Sequence, residues 1–516
     1  METLFNLHQL VDDSPIDAIL YLSSKDLADL NGTPFPEAVA KIAAKQEIDQ
    51  SGDMTSEVFN GKLVLHKNFG DLKSDYLDAR SFFESAKELA AKAVSAGKSK
   101  IAFICNVSEA SFKQRIFVEK YANEFANYKQ VAVLGALEAV YKDLQTRERP
   151  EYQKKVIDFF VHGLSDEEIK RVQANEEATV IGRDLGGADP ERMSAKDIVE
   201  YVTKTFGSLN NVELDVISDQ KHIAEQYPMF QCVNRANAER HRGRIIRLEY
   251  RAPDQSKVKQ HLAFVGKGIT YDTGGADIKA GGIMAGMHRD KCGACNVIGF
   301  MWAVSKLSPE NLNVTVYGAC VRNSVGSEGY VADEVVRSRA GKYCRIVNTD
   351  AEGRMAMVDV LCKAKERAIA ENWIVPRLFT VATLTGHVCI AFDDYTAVLE
   401  NGPSMQLKTA DQLIQAGHKT AQPFEQSSIR REDYKASTAT DGYADVIQCG
   451  TAASSRTPRG HQQPAGFLVL ASGLDAHGLS SEKPIAYTHL DIAGSAGPYP
   501  GLPTGAPIRA FIEAFL

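Results

Sequence analysis

Asn348-Thr349-Asp350-Ala351-Glu352-Gly353-Arg354 is the stretch around which the chain is organised. It sets two carboxylates and a guanidinium between an apolar run, Tyr343 to Val347, and an amphipathic helix predicted to start near Met355. A strand that empties into a short, polar, Gly-containing turn delivers its side chains at the carboxyl edge of a sheet, where open α/β folds place their ligands. Asp350 and Glu352 lie two apart, so an extended turn points both to one side. Paired carboxylates there suit a divalent cation, with Arg354 beside them. Taken alone, the stretch also reads as a polar turn closed by an internal salt bridge.

A second stretch tips the balance toward a metal. His261 to Gly293, HLAFVGKGITYDTGGADIKAGGIMAGMHRDKCG, repeats the layout: an apolar strand, Leu262 to Val265, runs into a Gly-rich loop carrying Lys267, Asp272, Lys279 and Asp290. Asp272, Asp290, Asp350 and Glu352 are enough acidic ligands for two divalent ions a few Å apart, the arrangement that clamps attacking and departing oxygens in hydrolysis.

These residues carry a resemblance. GKGITYDTGGADIK, with Asp290 eleven residues after Lys279, and then NTDAEGR, is similar to the M17 leucyl aminopeptidases, the cytosol aminopeptidase family. Thr383-Leu384-Thr385-Gly386 resembles the family's TLTG segment and His489-Leu490-Asp491-Ile492-Ala493-Gly494 its HLDIAG segment, so the similarity spans Arg183 to Leu516 and fades before it. It implies that Asp272 and Glu352 bridge two metals, zinc first, with manganese, magnesium or cobalt able to substitute at a looser site. It implies that Asp350 completes the tighter site, and that Lys267 and Asp290 complete the second. The substrate's free α-amine then binds the second metal beside Asp290, Lys279 stabilises the oxyanion, and a metal-bridging water attacks. Arg354 acts through a bound bicarbonate that shuttles the proton. Met287, Thr383 and Gly386 match positions lining the side-chain pocket. A homohexamer with peptide substrates is implied as well. Departures lie around this core: Lys291-Cys292 replaces small or apolar residues, His387 stands where Ala is usual, Gly282 to Met287 is Gly-rich, and Gln422 to Ala453 matches poorly.

Composition excludes other classes. With 516 residues, 44% hydrophobic and 24% charged, the chain is ordinary globular material for two to four domains. A net charge of −7 without a Lys/Arg-dense tract argues against a nucleic-acid partner. METLFNLHQLVDDSP shows no basic n-region followed by an apolar h-region, and no run suits a membrane span. Nine cysteines at scattered spacing fit free thiols in the cytoplasm. Two other classes remain open: a catalytically weak relative acting as a binding or scaffold protein, and a different two-metal hydrolase such as a phosphatase or amidase.

Along the chain, Ala18 to Leu22, Leu63 to His66, Ile101 to Cys105 and Val156 to Val161 read as strands. Helices are predicted over Ser81 to Ala96 and Phe112 to Tyr141, giving an N-terminal α/β domain without a catalytic constellation. Ser165 caps a linking helix, and Pro190 with Ser194 marks the start of another. The expected division is residues 1–175 and a catalytic domain over 176–516. There, strands at Val212 to Ile217, Ile245 to Tyr250, Leu262 to Val265, Val314 to Ala319, Arg345 to Val347 and Leu378 to Ala382 alternate with helices over Asn296 to Leu307 and Met355 to Ala370. That alternation predicts a mostly parallel central sheet flanked by helices. Cys292-Gly293-Ala294-Cys295 lacks a second Cys or His pair at zinc spacing, no HExxH occurs, and Gly266-Lys267-Gly268 lacks phosphate-loop spacing. His489 is expected to order neighbouring groups and not to bind metal. Asp393-Asp394 and Arg430 to Asp433 are expected on the solvated surface.

Overall fold

The computed structural model describes residues 3–24, 26–48, 54–113 and 123–516. They form two compact units, Met1–Lys142 with Thr146–Glu176 and Gln415–Gln422, and Asp143–Gln145 with Glu177–Ile414 and Pro423–Leu516.

In the first unit the strands are β1 (Phe5–Gln9), β2 (Ala18–Ser23), β3 (Met54–Phe59), β4 (Lys62–Asn68), β5 (Lys100–Cys105) and β6 (Ile157–Val161), in sheet order β1-β6-β5-β2-β4-β3. All pairings are parallel except the β3–β4 hairpin, which turns at Asn60-Gly61 with both residues at positive φ. β1 and β3 escaped the sequence reading because they are edge strands with few buried apolar side chains, Phe5 and Leu7 in β1 and none in β3, where Thr55 is the buried residue. The predicted helix over Phe112 to Tyr141 is corrected: residues 114–122 lie outside the described chain, and the rest forms helices Glu109–Lys113 and Tyr128–Glu138 with a turn before the second.

The second unit adds β7 (Val212–Ile217), β8 (Arg244–Tyr250), β9 (Gln260–Asp272), β10 (Leu312–Asn323), β11 (Val335–Arg337), β12 (Tyr343–Arg345), β13 (Pro376–Ala382), β14 (Thr396–Glu400), β15 (Phe424–Gln426), β16 (Val446–Ile447) and β17 (Ala486–Asp491). Eight of them make one sheet, β15-β14-β17-β13-β9-β10-β8-β7. Its centre, β17-β13-β9-β10, is parallel, while β7, β8 and β14 join antiparallel. Helices Cys292–Leu307 and Glu352–Ala370 pack on it, as two-sided burial of a parallel sheet requires. Met355, Val358 and Leu361 of the latter join Val265, Leu378 and Phe467 in one core, each fully buried side chain contributing roughly 1.5–3 kcal/mol. At the former helix's start the backbone approaches the sheet so closely that a Cβ on Gly293 would stand 2.1 Å from the Val381 carbonyl oxygen.

Three expectations change. β9 runs for 13 residues, so Lys267 and Asp272 are strand residues and not loop residues. The glycines at 266 and 268 masked this, since glycine reads as a breaker although here it only lets neighbouring backbone approach. The run Tyr343 to Val347 yields only β12, which belongs to a separate sheet, β11-β12-β16, because Tyr343 is exposed and only Cys344 of the strand is fully buried. The following helix starts at Glu352, three residues before Met355, so Glu352 sits in its first turn, where a carboxylate is favoured.

Candidate active site

Lys267 rises from the middle of β9, and its Nζ lies 2.7 Å from Asp290 Oδ1 and 3.1 Å from Glu352 Oε1 while donating to the Thr383 carbonyl at 2.8 Å. Its stem passes directly over Gly353, where a Cβ would stand 2.4 Å from Lys267 Cε. The glycine of the opening motif is therefore the gap through which the lysine reaches the acids.

Asp272 ends β9, and its Oδ1 accepts from the Gly274 amide at 2.9 Å and Asn323 Nδ2 at 2.8 Å. Its Oδ2 lies 2.9 Å from Lys279 Nζ, which also meets Asp350 Oδ1 at 2.6 Å. Asp272, Asp290 and Glu352, all buried, each bring one oxygen within 4.8 Å of the others. Asp350 stands at the rim, its side chain 33% exposed. The tight cluster thus joins three segments, and the two acids of the opening motif are split between its core, Glu352, and its rim, Asp350.

Four carboxylates face two ammonium groups, and the surplus negative charge explains the electrostatics. Burial, then Asp272, raises the carboxyl of Glu352 well above the usual range, and Asp350 moves up for the same causes. Burial and Asp272, opposed by Lys267, raise Asp290 to about 6. Burial works against the Lys267 ammonium, but Asp290, Glu352 and Asp272 outweigh it and hold the group charged. Lys279 is likewise raised, with Asp272 first among the charges overcoming its burial. Asp290 Oδ2 and Glu352 Oε2 remain buried without a hydrogen-bond partner among the described residues. Such oxygens are costly unless something positive meets them.

Arg354 is buried, and its Nη1 donates to the Gln448 carbonyl at 2.9 Å and Gln463 Oε1 at 2.7 Å. Its Nε has no partner, and among the described residues no carboxylate pairs with it. Lys267, Asp272, Lys279, Asp290, Asp350, Arg354, Met287, Thr383 and Gly386 all line one cavity of about 830 Å³, and Glu352 lies buried within reach of Lys267. Thr383 also donates its hydroxyl to Asp290 Oδ1 at 2.8 Å.

Several supporting residues were not singled out in the sequence, although Thr349 and Asp491 stand inside its motifs. Thr349, whose amide and hydroxyl both donate to Asp277 Oδ2, at 2.7 and 3.1 Å, ties the two motifs together. Gln448 Oε1 accepts from the Val347 and Asn348 amides at 2.9 and 3.0 Å and its Nε2 donates to the Ala351 carbonyl at 3.1 Å, although it lies in the poorly matching region. Asp491 accepts from the Leu384 amide at 3.1 Å and the Thr385 hydroxyl at 2.6 Å, fixing the TLTG turn. Asn323 was findable as a polar residue closing an apolar strand.

His489 is buried on β17, its Nδ1 2.8 Å from the Thr380 hydroxyl, and it does not line the cavity. Cys292 and Cys295 are buried free thiols. The Arg430 to Asp433 expectation is corrected: Asp433 is 1% exposed, pairs with Arg459 through both oxygens and lines the cavity with Glu432. A short polar helix reads as solvated surface, and the distant Arg459 that buries it is invisible in sequence.

The fold and site define a class: an α/β chain with a buried carboxylate and lysine cluster at the carboxyl edge of a parallel sheet, opening on a cavity. Residues 180–512 match the catalytic domain of the cytosol aminopeptidase family, and the chain belongs to that family, whose members are peptidases. A Caenorhabditis elegans protein provisionally named an aminopeptidase is 38% identical over 90% of this chain and 86% of its own length. A Helicobacter hepaticus protein provisionally named a cytosol aminopeptidase is 28% identical over 74% of this chain and 77% of its own. A mutant tomato leucine aminopeptidase shares the fold with a TM-score of 0.76 at 19% identity, covering 99% of this chain and 96% of that one. The bottromycin maturation enzyme BotP in complex with Mn shares it with a TM-score of 0.73 at 21% identity, covering 97% and 98%.

Proposed function

We propose that the chain is a metal-dependent aminopeptidase that removes the N-terminal residue of peptides by means of two divalent ions. The observation that supports this most directly is the pair of buried, partnerless oxygens on Asp290 and Glu352, set in a cluster with more carboxylates than ammonium groups. That donor set fits hard or borderline dications. Lys267, Asp272, Asp290, Asp350 and Glu352 would hold them, with Zn2+ the first choice and Mn2+, Mg2+ or Co2+ at the looser site. When bound, the ions supply Lewis acidity and a nucleophilic water at neutral pH.

This chain's residues do the rest. Asp290 accepts a hydrogen bond from the substrate's α-amine, which confines cleavage to the amino end. Lys279, charged and facing the cavity, donates to the scissile carbonyl oxygen as negative charge develops there. Arg354, a buried cation with a partnerless Nε, would hold a bicarbonate through which the proton moves. Met287, Thr383 and Gly386 receive the N-terminal side chain. No helix among the described residues is long and apolar enough to cross a membrane. With nine free cysteines, a reducing cytoplasm fits, and the working form is a homohexamer. Hydrolysis of leucine-, alanine- and methionine-anilides with zinc or manganese is the test: activity that chelation abolishes is expected, and failure on every free-amine substrate with metal bound overturns the reading.

A further inference from the structure

One wall of the cavity is built by residues 454–460, and a pair of histidines attaches it. Ser454, Ser455, Thr457, Pro458, Arg459 and Gly460 line the cavity. Behind them, His387 Nδ1 lies 2.7 Å from His461 Nδ1, with the two rings 4.9 Å apart. His387 is the second residue of the helix Gly386–Phe392, which begins at the last residue of the TLTG turn. His461 is 1% exposed, and its Nε2 lies 2.9 Å from the Ser427 hydroxyl, whose backbone amide donates to Val398 on β14. The imidazole pair therefore links the turn that flanks the acids to the segment that forms this wall of the cavity.

The packing around this link leaves little slack. A Cβ on Gly460 would stand 2.9 Å from His387 Cβ and 2.2 Å from the Ser454 carbonyl oxygen, so the segment folds tightly over the His387 ring. A Cβ on Gly386 would meet only Ser455 Cβ at 3.7 Å and Ser454 Oγ at 3.9 Å, ordinary contact with the same segment. The space beside Gly386 is thus bounded by the very residues that the histidine pair holds. One Nδ1 must donate and the other accept, so at least the accepting ring must be neutral. Burial pushes His461 down to about 4, which leaves it the neutral partner, and lowers His387 as well.

We propose that His387 is a positioning residue which, through its hydrogen bond to His461, fixes the wall over residues 454–460 and so sets the preference among N-terminal side chains. This rests on the aminopeptidase reading of the cavity. A small N-terminal residue does not reach the wall and is indifferent to it. A branched or longer apolar one does reach it, and gains from a wall that is already in place.

His387→Ala and His387→Asn, whose amide sets a donor and an acceptor near the lost Nδ1, test this in the full-length, metal-loaded protein. For His387→Ala, amide exchange over 452–463 should rise about tenfold, with metal content unchanged. KM for the leucine-anilide should rise about tenfold, with kcat and the alanine-anilide constants held within about twofold. His387→Asn should restore both readouts. Unchanged exchange in 452–463 overturns the proposal whatever the activity, and a raised exchange with an unaltered leucine-to-alanine ratio overturns its specificity claim. Should the parent cleave no free-amine substrate, the aminopeptidase reading fails, and with it the specificity claim, while exchange still decides the positioning.

Discussion

At the scale of single residues, two lysines twelve positions apart are expected to do different work from one neighbourhood. Both stand among the acids, Lys267 against Asp290 and Glu352, Lys279 against Asp272 and Asp350. In the metal-free chain both are held charged. A lysine can ligate a metal only after losing its proton, so loading of the second site should drive off the Lys267 proton and release it to solvent. Lys279 must keep its proton to stabilise an oxyanion. Lys267→Arg retains a cation that cannot be deprotonated, so metal titration should show the second ion lost. Lys279→Ala should bind both ions and lower kcat, by on the order of 100- to 1000-fold if it supplies one oxyanion donor. The roles fail if the titrations come out reversed. Asp290→Asn should bring metal content toward one ion per chain, since Asp350 and Asp272 do not depend on it. Two tightly held ions together with full activity would remove Asp290 from the site.

The elements show why some of this was legible in the sequence. Parallel strands buried on both faces read as apolar runs, so β10 and β13 stood out, as did the amphipathic faces of the helices behind them. The acids and lysines stood out because charged residues next to such runs have few structural excuses. What stayed hidden was set by long-range contact. β9 was cut short because Gly266 and Gly268, needed for close approach of neighbouring backbone, look like breakers. The strand expected over Arg345 to Val347 gave way to a turn held by Gln448, about a hundred residues away. Gln448 is fully buried, and it satisfies the Val347 and Asn348 amides and the Ala351 carbonyl. Gln448→Ala leaves these groups without their partner, so denaturant unfolding should show a loss on the order of 1–3 kcal/mol. Metal affinity should fall about tenfold, as is usual when a group that orients ligands is removed. An unchanged affinity would mean that the helix start at Glu352 suffices to place the ligands.

For the whole molecule, the expected homohexamer is checked by mass measurement in solution, where a stable monomer at micromolar concentration would refute it. Metal loading makes a further demand on the stability of the whole chain. An ion that binds only the folded state stabilises it by an amount that grows with the logarithm of its concentration, about 2.7 kcal/mol at a hundredfold excess over Kd. The pH dependence follows from Asp290, whose carboxyl is raised to about 6 in the metal-free fold, above its unfolded range. A raised acid binds its proton more tightly when folded, so its contribution to metal-free stability is present at acid pH and is lost as pH climbs through about 6. Above that pH the metal-free fold must bury the charge, and metal must have the charge in order to bind. The rise in melting temperature on adding zinc or manganese should therefore be large at neutral pH and shrink as pH falls below about 6. Scanning calorimetry of the chelated and reloaded protein from about pH 5 to about pH 8, on either side of the Asp290 transition, measures it. A metal-induced shift that is constant across that interval would mean that the ions are held by groups other than the buried carboxylates.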